Sequence, residues 1–227
     1  MFAYFKEETM SLSTNNPSRK DLPIPRRLLH RMLASASIKS ESKVLDVGSG
    51  DGSIVAHLRK SGIDAWGIDE QAPPAGALKE YLKTGGLMGA VPFGPHSFEL
   101  VLLRGMRVFA DRLDTPEACM ATANVLSCLQ TSGRLLLVDP AEPSTGIQPN
   151  AARTESWQQH LSLFPGTFSV RPFAEGISWY LSLKFLFQPK LDAQILEFKL
   201  PDHSISRLEW HRKAREAVAK LQQNRAA

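Results

Sequence analysis

Three glycines at alternate positions, Gly48, Gly50 and Gly52, have the spacing of a loop that binds a ligand through its backbone. Because glycine has no Cβ atom, the N–H groups of such a loop can approach a bound molecule closely. The mostly apolar run 44–47 predicts a buried strand before the loop, and the apolar residues of 54–58 predict a helix after it. The positive N-terminus of that helix faces the same point. Strand, glycine loop and helix therefore predict a cradle for a nucleotide-type cofactor.

The order of the glycines separates two classes of cofactor. A dinucleotide-binding loop has the order G-x-G-x-x-G, which requires a glycine where this chain has Ser53. The segment from Asp46 to Gly52 instead resembles motif I of the class I S-adenosylmethionine-dependent methyltransferases, D-x-G-x-G-x-G, and the chain resembles their type 11-like members. The resemblance implies S-adenosyl-L-methionine as the cofactor and disfavours a nicotinamide-dependent oxidoreductase. The cofactor contacts that it implies in this segment are Asp46, Gly48, Ser49, Gly50 and Gly52.

Two carboxylates, Asp69 and Glu70, close the second predicted strand, 65–68. A carboxylate in that place can accept hydrogen bonds from both ribose hydroxyls of a nucleoside. In the family that the chain resembles, this role falls to Asp69. Dinucleotide-binding proteins have an acidic residue at a similar distance, so these carboxylates support a nucleoside without identifying the cofactor.

The adenine side of the predicted site departs from the family pattern. The segment 91–93, Val-Pro-Phe, resembles the Leu-Pro-Phe segment that follows the third strand in many of these enzymes. Four residues before it the family usually has an aspartate that accepts from the adenine amino group, whereas this chain has Leu87. We therefore expect backbone groups and the apolar side chains of Leu87 and Met88 to hold the adenine. The alternative is a non-catalytic module that has lost this half of the site.

Arg104 follows a fourth predicted strand, 97–103, which resembles the Ser-Phe-Asp-Leu-Val strand of the family. Such a strand lies beside the first one, and ligands bind at the carboxyl ends of neighbours where the strand order reverses. Arg104 is therefore a candidate salt-bridge partner for the carboxylate of the cofactor's methionine or of an acidic substrate. A surface arginine at a strand end is an equal alternative.

The catalytic residues remain unknown at this point. Methyl transfer from a sulfonium requires mainly that nucleophile and methyl group are held in line. His30, His96 and His160 are candidate bases only if they face the cleft, and a lone histidine on an amphipathic helix, such as His160, is more often structural. Arg26, Arg27 and His30 lie on a predicted helix before the first strand and are candidate substrate contacts, although a solvated basic face is the simpler expectation.

The elements that must position these residues alternate between helix and strand over 25–140, which predicts an α/β fold with a parallel sheet. The resemblance implies a doubly wound, Rossmann-like sheet of seven strands, mostly parallel, with an antiparallel edge strand and an added C-terminal helix. We expect a mobile segment at 1–22, a methyltransferase domain at 23–200 and an amphipathic helix within 201–227. The apolar stripe of that helix consists of Trp210, Ala214, Ala217 and Leu221.

Several finer elements are also predicted. The apolar stripe of the last helix is expected to pack on the same domain, with dimerisation or an RNA-facing role as alternatives. The segment 73–81 is expected to be partly helical, before a shortened third strand. The segment 139–149 is predicted to be a loop at the active edge, and 194–200 a half-buried strand. An antiparallel strand pair is predicted from 168–173 and 177–187.

Composition narrows the function further. The 227 residues carry a net charge of +4 and no stretch long enough to span a bilayer, so a cytoplasmic protein without a membrane partner is expected. Cys119 and Cys128 would point to opposite faces of a helix, so neither a disulfide nor a metal site is predicted. The residues after the fourth strand lack an Asn/Asp-Pro-Pro-Tyr-type segment, which disfavours methylation of the amino groups of adenine or glutamine. A small metabolite or lipid-like acceptor is the first choice. RNA or protein bound through the basic chain ends is the alternative, and the oligomeric state is left open.

Overall fold

A computed structural model of the protein describes residues 24–71, 76, 78–89, 91–110, 112–140, 151–173 and 193–226. The described residues form one mixed sheet of seven strands. The strands are β1 (Lys43–Val47), β2 (Asp64–Asp69), β3 (Leu82–Thr84), β4 (Phe98–Leu103), β5 (Leu129–Pro140), β6 (Thr167–Phe173) and β7 (Ala193–Lys199). Their order is β3-β2-β1-β4-β5-β7-β6, and β7 runs antiparallel to both of its neighbours. The predicted doubly wound fold is confirmed, with the antiparallel strand one place in from the edge.

Helices cover both faces of this sheet. They are α1 (Arg26–Ser35), α2 (Ser53–Lys60), α3 (Pro116–Ser127), α4 (Ala151–Leu161) and α5 (Arg207–Ala226), with a short 3-10 helix at Arg107–Phe109. Side chains alternate between faces along each strand. In β4, Leu100 and Leu102 pack with α1 and α2, whereas Val101 and Leu103 pack with α3, α4 and α5. The sheet is therefore buried between two apolar layers.

The strand order reverses at β1. Val47, the last residue of β1, pairs with Ile68 of β2 on one side and with Leu103 of β4 on the other, and all three strands are parallel. Their carboxyl ends therefore lie together at one edge of the sheet. In folds of this kind ligands bind outside this edge, at the switch point.

The region around β3 differs in part from the expectation. The third strand is short, as predicted, but 78–81 forms turns rather than a helix. The carbonyl oxygen of Tyr81 accepts a hydrogen bond from the N–H group of Gly67 at 2.9 Å, which draws the chain into pairing with β2. The guanidinium of Arg59 also stacks on the Tyr81 ring at 3.4 Å. These contacts tie the turns to β2 and α2 immediately before β3 begins. Residues 72–75 and 77 lie outside the described residues.

The C-terminal part confirms two predictions. The strand at 193–199 forms as expected, and it is the observed partner of β6. The apolar stripe of α5 packs against α3 within the same domain, and its residues Trp210, Ala214 and Ala217 are buried. The predicted strand at 177–187, the loop after 140 and the N-terminal segment lie outside the described residues.

Two further features concern the cysteines and the length of the helices. Cys119 and Cys128 are free and buried, and burial raises the pKa of both thiols, that of Cys119 to about 11. Within the described part of the chain, every helix is too short or too polar to cross a membrane.

Candidate functional site

The glycine loop between β1 and α2 lies at the edge where the strand order reverses. The N–H groups of Gly48 and Ser49 both donate to the carbonyl oxygen of Ile68, at 2.9 and 3.1 Å, and so tie the loop to β2. At Gly48, where φ is +82°, a Cβ atom would overlap the carbonyl oxygen of Arg104. Only glycine allows the loop to rest this closely on the backbone that follows β4.

Gly50 is the open point of this loop. A Cβ atom placed on it would meet none of the described atoms within 4 Å. Its N–H group donates to Asp69 Oδ2 at 2.9 Å, and Asp69 Oδ1 accepts from the N–H group of Gln71, also at 2.9 Å. The loop and the end of β2 therefore frame one space, with the carboxylate of Asp69 turned toward Gly50. Glu70 is exposed beside it.

A fourth glycine, Gly67 in β2, also shapes the loop and was not predicted from the sequence. A Cβ atom there would lie 2.7 Å from the Cβ atom of Ser49 and 2.6 Å from a methyl carbon of Leu82. Gly52 packs on the same Leu82 side chain. A glycine inside a strand often marks a close approach of another backbone, and that signal could have identified Gly67.

Arg104 is bound to Asp46 beneath the loop. Its Nε and Nη2 atoms donate to the two carboxylate oxygens of Asp46 at 2.9 and 2.8 Å. Asp46 is 0% exposed, and the side chain of Arg104 is only 15% exposed. Burial raises the pKa of the Asp46 carboxyl, and the two bonds to Arg104 oppose that rise. Arg104 is therefore largely buried, unlike the surface arginine that the sequence offered as an alternative. A ligand carboxylate would have to bind the N–H groups of Arg104 that do not contact Asp46.

The two residues expected to contact adenine, Leu87 and Met88, differ in how far their side chains are exposed. The side chain of Leu87 is 1% exposed and belongs to the apolar core, and its carbonyl oxygen accepts from Asn124 Nδ2 of α3 at 2.7 Å. Met88 is 49% exposed. Of the two side chains, only that of Met88 is accessible to a ligand, and Leu87 offers no open surface for the predicted adenine contact.

The C-terminal helix α5 holds the chain beside Leu87. His211 Nε2 donates to Asn124 Oδ1 at 2.8 Å, so Asn124 connects α5 with the loop that contains Leu87. Arg207 Nη2 donates to the carbonyl oxygen of Phe93 at 2.8 Å. This adenine-side loop, residues 85–93, is therefore fixed by residues more than thirty positions further along the chain.

The three candidate bases lie apart from one another. His96 precedes β4 and binds Leu129 and Ser204, at the opposite end of the strands from the glycine loop. His30 is exposed on α1, with its ring against His57. His160 lies on α4, contacts Thr122 of α3 and is 3% exposed. Burial lowers the pKa of His160 to about 4, although a hydrogen bond with the Leu113 backbone acts in the opposite direction. This burial supports a structural role for His160 over that of a general base.

A small cavity of about 180 Å³ lies beside the C-terminal end of β4. Arg104 and Gly105 form the part of its wall that adjoins the glycine loop, because the loop rests on the Arg104 backbone. Most of the wall is apolar. It is lined by Leu103, Arg104, Gly105, Met106, Phe109, Ala110, Leu137, Arg153, Trp157 and Leu196. The sequence did not predict the contributions of Phe109, Arg153 and Trp157, which come from segments far apart along the chain.

Metal chemistry has no candidate cluster in the part of the chain that the structure describes. No group of three or more His, Cys, Asp or Glu side chains in these ranges is arranged to hold an ion. The arrangement instead combines an open glycine loop, a carboxylate and an adjoining apolar cavity. Such a set can bind two organic molecules side by side.

Comparison with known proteins agrees with this arrangement. The chain belongs to the methyltransferase-domain family, whose model matches residues 19–184. A search of curated proteins finds no match.

Solved structures with the same fold are methyltransferases of low sequence identity. A SAM dependent methyltransferase from Aquifex aeolicus is 12% identical over 75% of this chain and 88% of that one, with a TM-score of 0.53. The 1,6-didemethyltoxoflavin-N1-methyltransferase of Burkholderia thailandensis, crystallised with 1,6-didemethyltoxoflavin and S-adenosylhomocysteine, is 15% identical over 78% and 76%, with a TM-score of 0.50. A putative methyltransferase in complex with the Haloferax volcanii activator Trm112 is 14% identical over 78% and 90%, with a TM-score of 0.50. At these identities the similarity shows the fold alone.

Proposed function

We propose that the protein binds S-adenosyl-L-methionine and transfers its methyl group to a small-molecule acceptor by direct in-line displacement. The observation that carries this proposal is the open space at Gly50, bounded by its N–H group and by the carboxylate of Asp69. Membership of the methyltransferase-domain family supports the class of reaction.

The residues of the loop fit such a cofactor. Each carboxylate oxygen of Asp69 accepts one backbone hydrogen bond, and an ionised carboxylate can accept about four in all. Asp69 therefore retains acceptor capacity for two ribose hydroxyls. The absence of a side chain at Gly50 leaves room for the amino-acid end of the cofactor, and the side chains of Glu70 and Met88 are exposed.

The chemistry requires little beyond placement. In the transfer, a lone pair of the acceptor forms a bond to the methyl carbon, the methyl–sulfur bond breaks with its electrons on sulfur, and any acceptor proton passes to water. Alignment of the reacting atoms within roughly 3 to 3.5 Å supplies much of the rate enhancement. None of the described residues that line the small cavity is a carboxylate or a histidine, so we assign no general base.

The cavities beside the loop support a small acceptor. Sites for drug-sized ligands have volumes of roughly 300–1,000 Å³. The small cavity of about 180 Å³ adjoins a larger one of about 720 Å³, and Phe109 and Arg153 line both. The partners and the cytoplasmic location remain predictions from the sequence.

A non-catalytic binding module is the second candidate. The observation that favours it is the engagement of the Leu87 carbonyl by Asn124, on the side where adenine is expected. Such a module would keep the fold and bind neither sulfur compound.

Calorimetry with S-adenosylmethionine, S-adenosylhomocysteine and NAD tests the proposal. We expect the first two to bind and NAD not to bind. Gly50→Leu should abolish binding because its side chain enters the open space, and Asp69→Ala should weaken it. Gly62→Leu is the matched control, because Gly62 has a φ of +79°, similar backbone strain, and lies at the opposite end of β2.

The outcomes separate the two candidates. Loss of binding in Gly50→Leu but not in Gly62→Leu supports the cofactor site. A folded wild-type protein that binds neither sulfur compound overturns the proposal and favours the non-catalytic module.

A further inference from the structure

Helices α1 and α2 contain basic residues and no acidic ones. Their sequences are RRLLHRMLAS and SIVAHLRK. Arg59 of α2 is paired with Asp64 and stacks on Tyr81, so its charge is compensated. Other basic residues of the two helices define the α1–α2 basic surface, which consists of Arg26, Arg27, His30, His57 and Lys60. All of them are exposed except His57, which is half-buried.

The two helices bring these residues together around His57. The ring of His30 in α1 lies 5.6 Å from the ring of His57 in α2, at an interplanar angle of 89°. Burial lowers the pKa of His57, and repulsion by Arg26, His30 and Lys60 lowers it further. No described carboxylate acts on His57 in the opposite direction. The surroundings of His57 are therefore positive on both helices.

The charges of this surface have no acidic partner in the part of the chain that the structure describes. Within those ranges, Arg26, Arg27 and Lys60 take part in no salt bridge. The basic residues Arg212 and Lys213 of α5, in contrast, are paired with carboxylates of the same helix. Unpaired cations on one face of a protein attract a polyanion.

The exposed side of these helices also indicates which polyanion fits. A helix that binds a membrane surface inserts apolar side chains into it, but the large apolar residues of α1 and α2 are buried against the sheet. The surface instead combines cations with the exposed ring of His30 and the planar guanidiniums of Arg26 and Arg27. Unpaired bases stack on such groups, whereas the bases of a duplex are already stacked on one another. These features favour a single strand of nucleic acid.

We propose that the α1–α2 basic surface binds a single-stranded segment of RNA, the nucleic acid that proteins most often recognise in single-stranded loops and ends. Arg26, Arg27 and Lys60 bind phosphate groups, and a base stacks on the ring of His30. The small cavity lies on the other face of the sheet, where Phe109 and Trp157 line it. RNA binding is therefore separate from the acceptor site of the proposed function and requires no cofactor.

Fluorescence anisotropy of the full chain with a labelled, unstructured RNA of about 20 nucleotides is the test. We expect binding that weakens as salt is added, because phosphate contacts release counterions. The triple variant Arg26→Gln/Arg27→Gln/Lys60→Gln should weaken binding about tenfold or more at low salt. It should also lower the slope of log affinity against log salt concentration by about 2, since each phosphate contact to a single strand contributes about 0.7.

The stacking contact has a different signature from the phosphate contacts. His30→Ala should weaken RNA binding about fivefold or more, as loss of one stacked base implies. It should leave the salt slope unchanged, because a stacked ring releases no counterion.

A second triple variant, Arg212→Gln/Arg215→Gln/Lys220→Gln, is the matched control. It removes the same charge from exposed positions of α5, on the opposite face of the sheet, and should leave the salt slope unchanged. Circular dichroism should show that both triple variants are folded, because glutamine has a helix propensity close to those of arginine and lysine. A duplex of the same RNA and vesicles that contain phosphatidylserine serve as comparison ligands, and both should bind more weakly than the single strand.

The results that contradict the proposal are specific. An equal loss of affinity in the two triple variants would assign the binding to net charge alone and overturn the proposal. Tighter binding to the duplex or to the vesicles than to the single strand would also overturn it, as would no RNA binding at low salt. Calorimetry with the sulfur compounds is a separate measurement, so a failure of the proposed function leaves the RNA result unaffected.

Discussion

The loop that contains Gly50 and the adenine-side loop, residues 85–93, lie on two sides of the same candidate site but are held in different ways. The first is fixed by hydrogen bonds to β2, its direct neighbour in the sheet. The second begins with one backbone hydrogen bond to β2, from Gly85 to Asp69 at 2.9 Å, and is otherwise fixed by Asn124, Arg207 and His211, which belong to α3 and to the C-terminal helix. The difference shows that the sugar side of the site depends on the sheet, whereas the adenine side depends on helices added around it.

The largest expected effect tests the support below the glycine loop. Arg104→Met removes the partner of the fully buried Asp46, and an unpaired buried charge typically costs about 3–5 kcal/mol of stability. Urea unfolding at neutral pH measures it. Arg112→Met breaks an exposed pair with Asp114 of similar geometry and should cost under about 1 kcal/mol. Equal costs for both would show that Asp46 is not an essential support of this loop.

The next effect concerns the helix that carries Asn124. The Nε2 atom of His160 and the hydroxyl of Thr122 in α3 lie 2.7 Å apart, and burial holds the pKa of His160 at about 4. The unfolded chain, with a pKa near 6.5, binds the proton more readily, so this stability is full above pH 6.5 and is lost as the pH falls toward 4. The loss is at most roughly 3 kcal/mol.

Urea unfolding at several pH values between 7.5 and 4.5 measures this dependence. His160→Gln should flatten the profile, whereas His203→Gln, at an exposed position after β7, should leave it unchanged. A slope that survives in His160→Gln would assign the titration to other groups, such as His57, whose pKa burial also lowers.

A smaller effect separates the two loops directly. Asn124→Ala leaves the Leu87 carbonyl and His211 without their partner, at a cost of about 1–3 kcal/mol. Because only the adenine-side loop loses its support, S-adenosylhomocysteine should bind more weakly to the folded variant. His211→Ala removes one of these bonds and should have a lesser effect. Unchanged affinity in Asn124→Ala would show that the adenine-side loop does not contribute to binding.

Local patterns predicted the parts of the molecule that local contacts hold together. The strand, the glycines and Asp69 follow one another within a single β-α-β unit, and the structure brings Gly50 and Asp69 together. The apolar stripe of α5 was likewise predictable because it lies within one helix.

Features that depend on distant residues were not predicted. The pairing of Arg104 with Asp46 joins positions 58 residues apart. The burial of Leu87 likewise depends on the elements that pack around it. Phe109, Arg153 and Trp157 meet around the small cavity only after α4 has docked on the sheet. Periodicity and motif spacing carry no information on such contacts, because tertiary packing decides them.

The contact between Gly48 and the Arg104 carbonyl sets a rule for how this protein can change. The obstacle to a larger residue at position 48 is main chain, which mutation elsewhere does not remove, whereas the obstacle at Gly52 is the end of a leucine side chain that can be trimmed. In a library randomised at both positions and selected for folding, position 48 should return glycine alone. Position 52, where φ is +75°, should also admit residues that tolerate a left-handed backbone, such as Asn and Asp, once Leu82 is shortened.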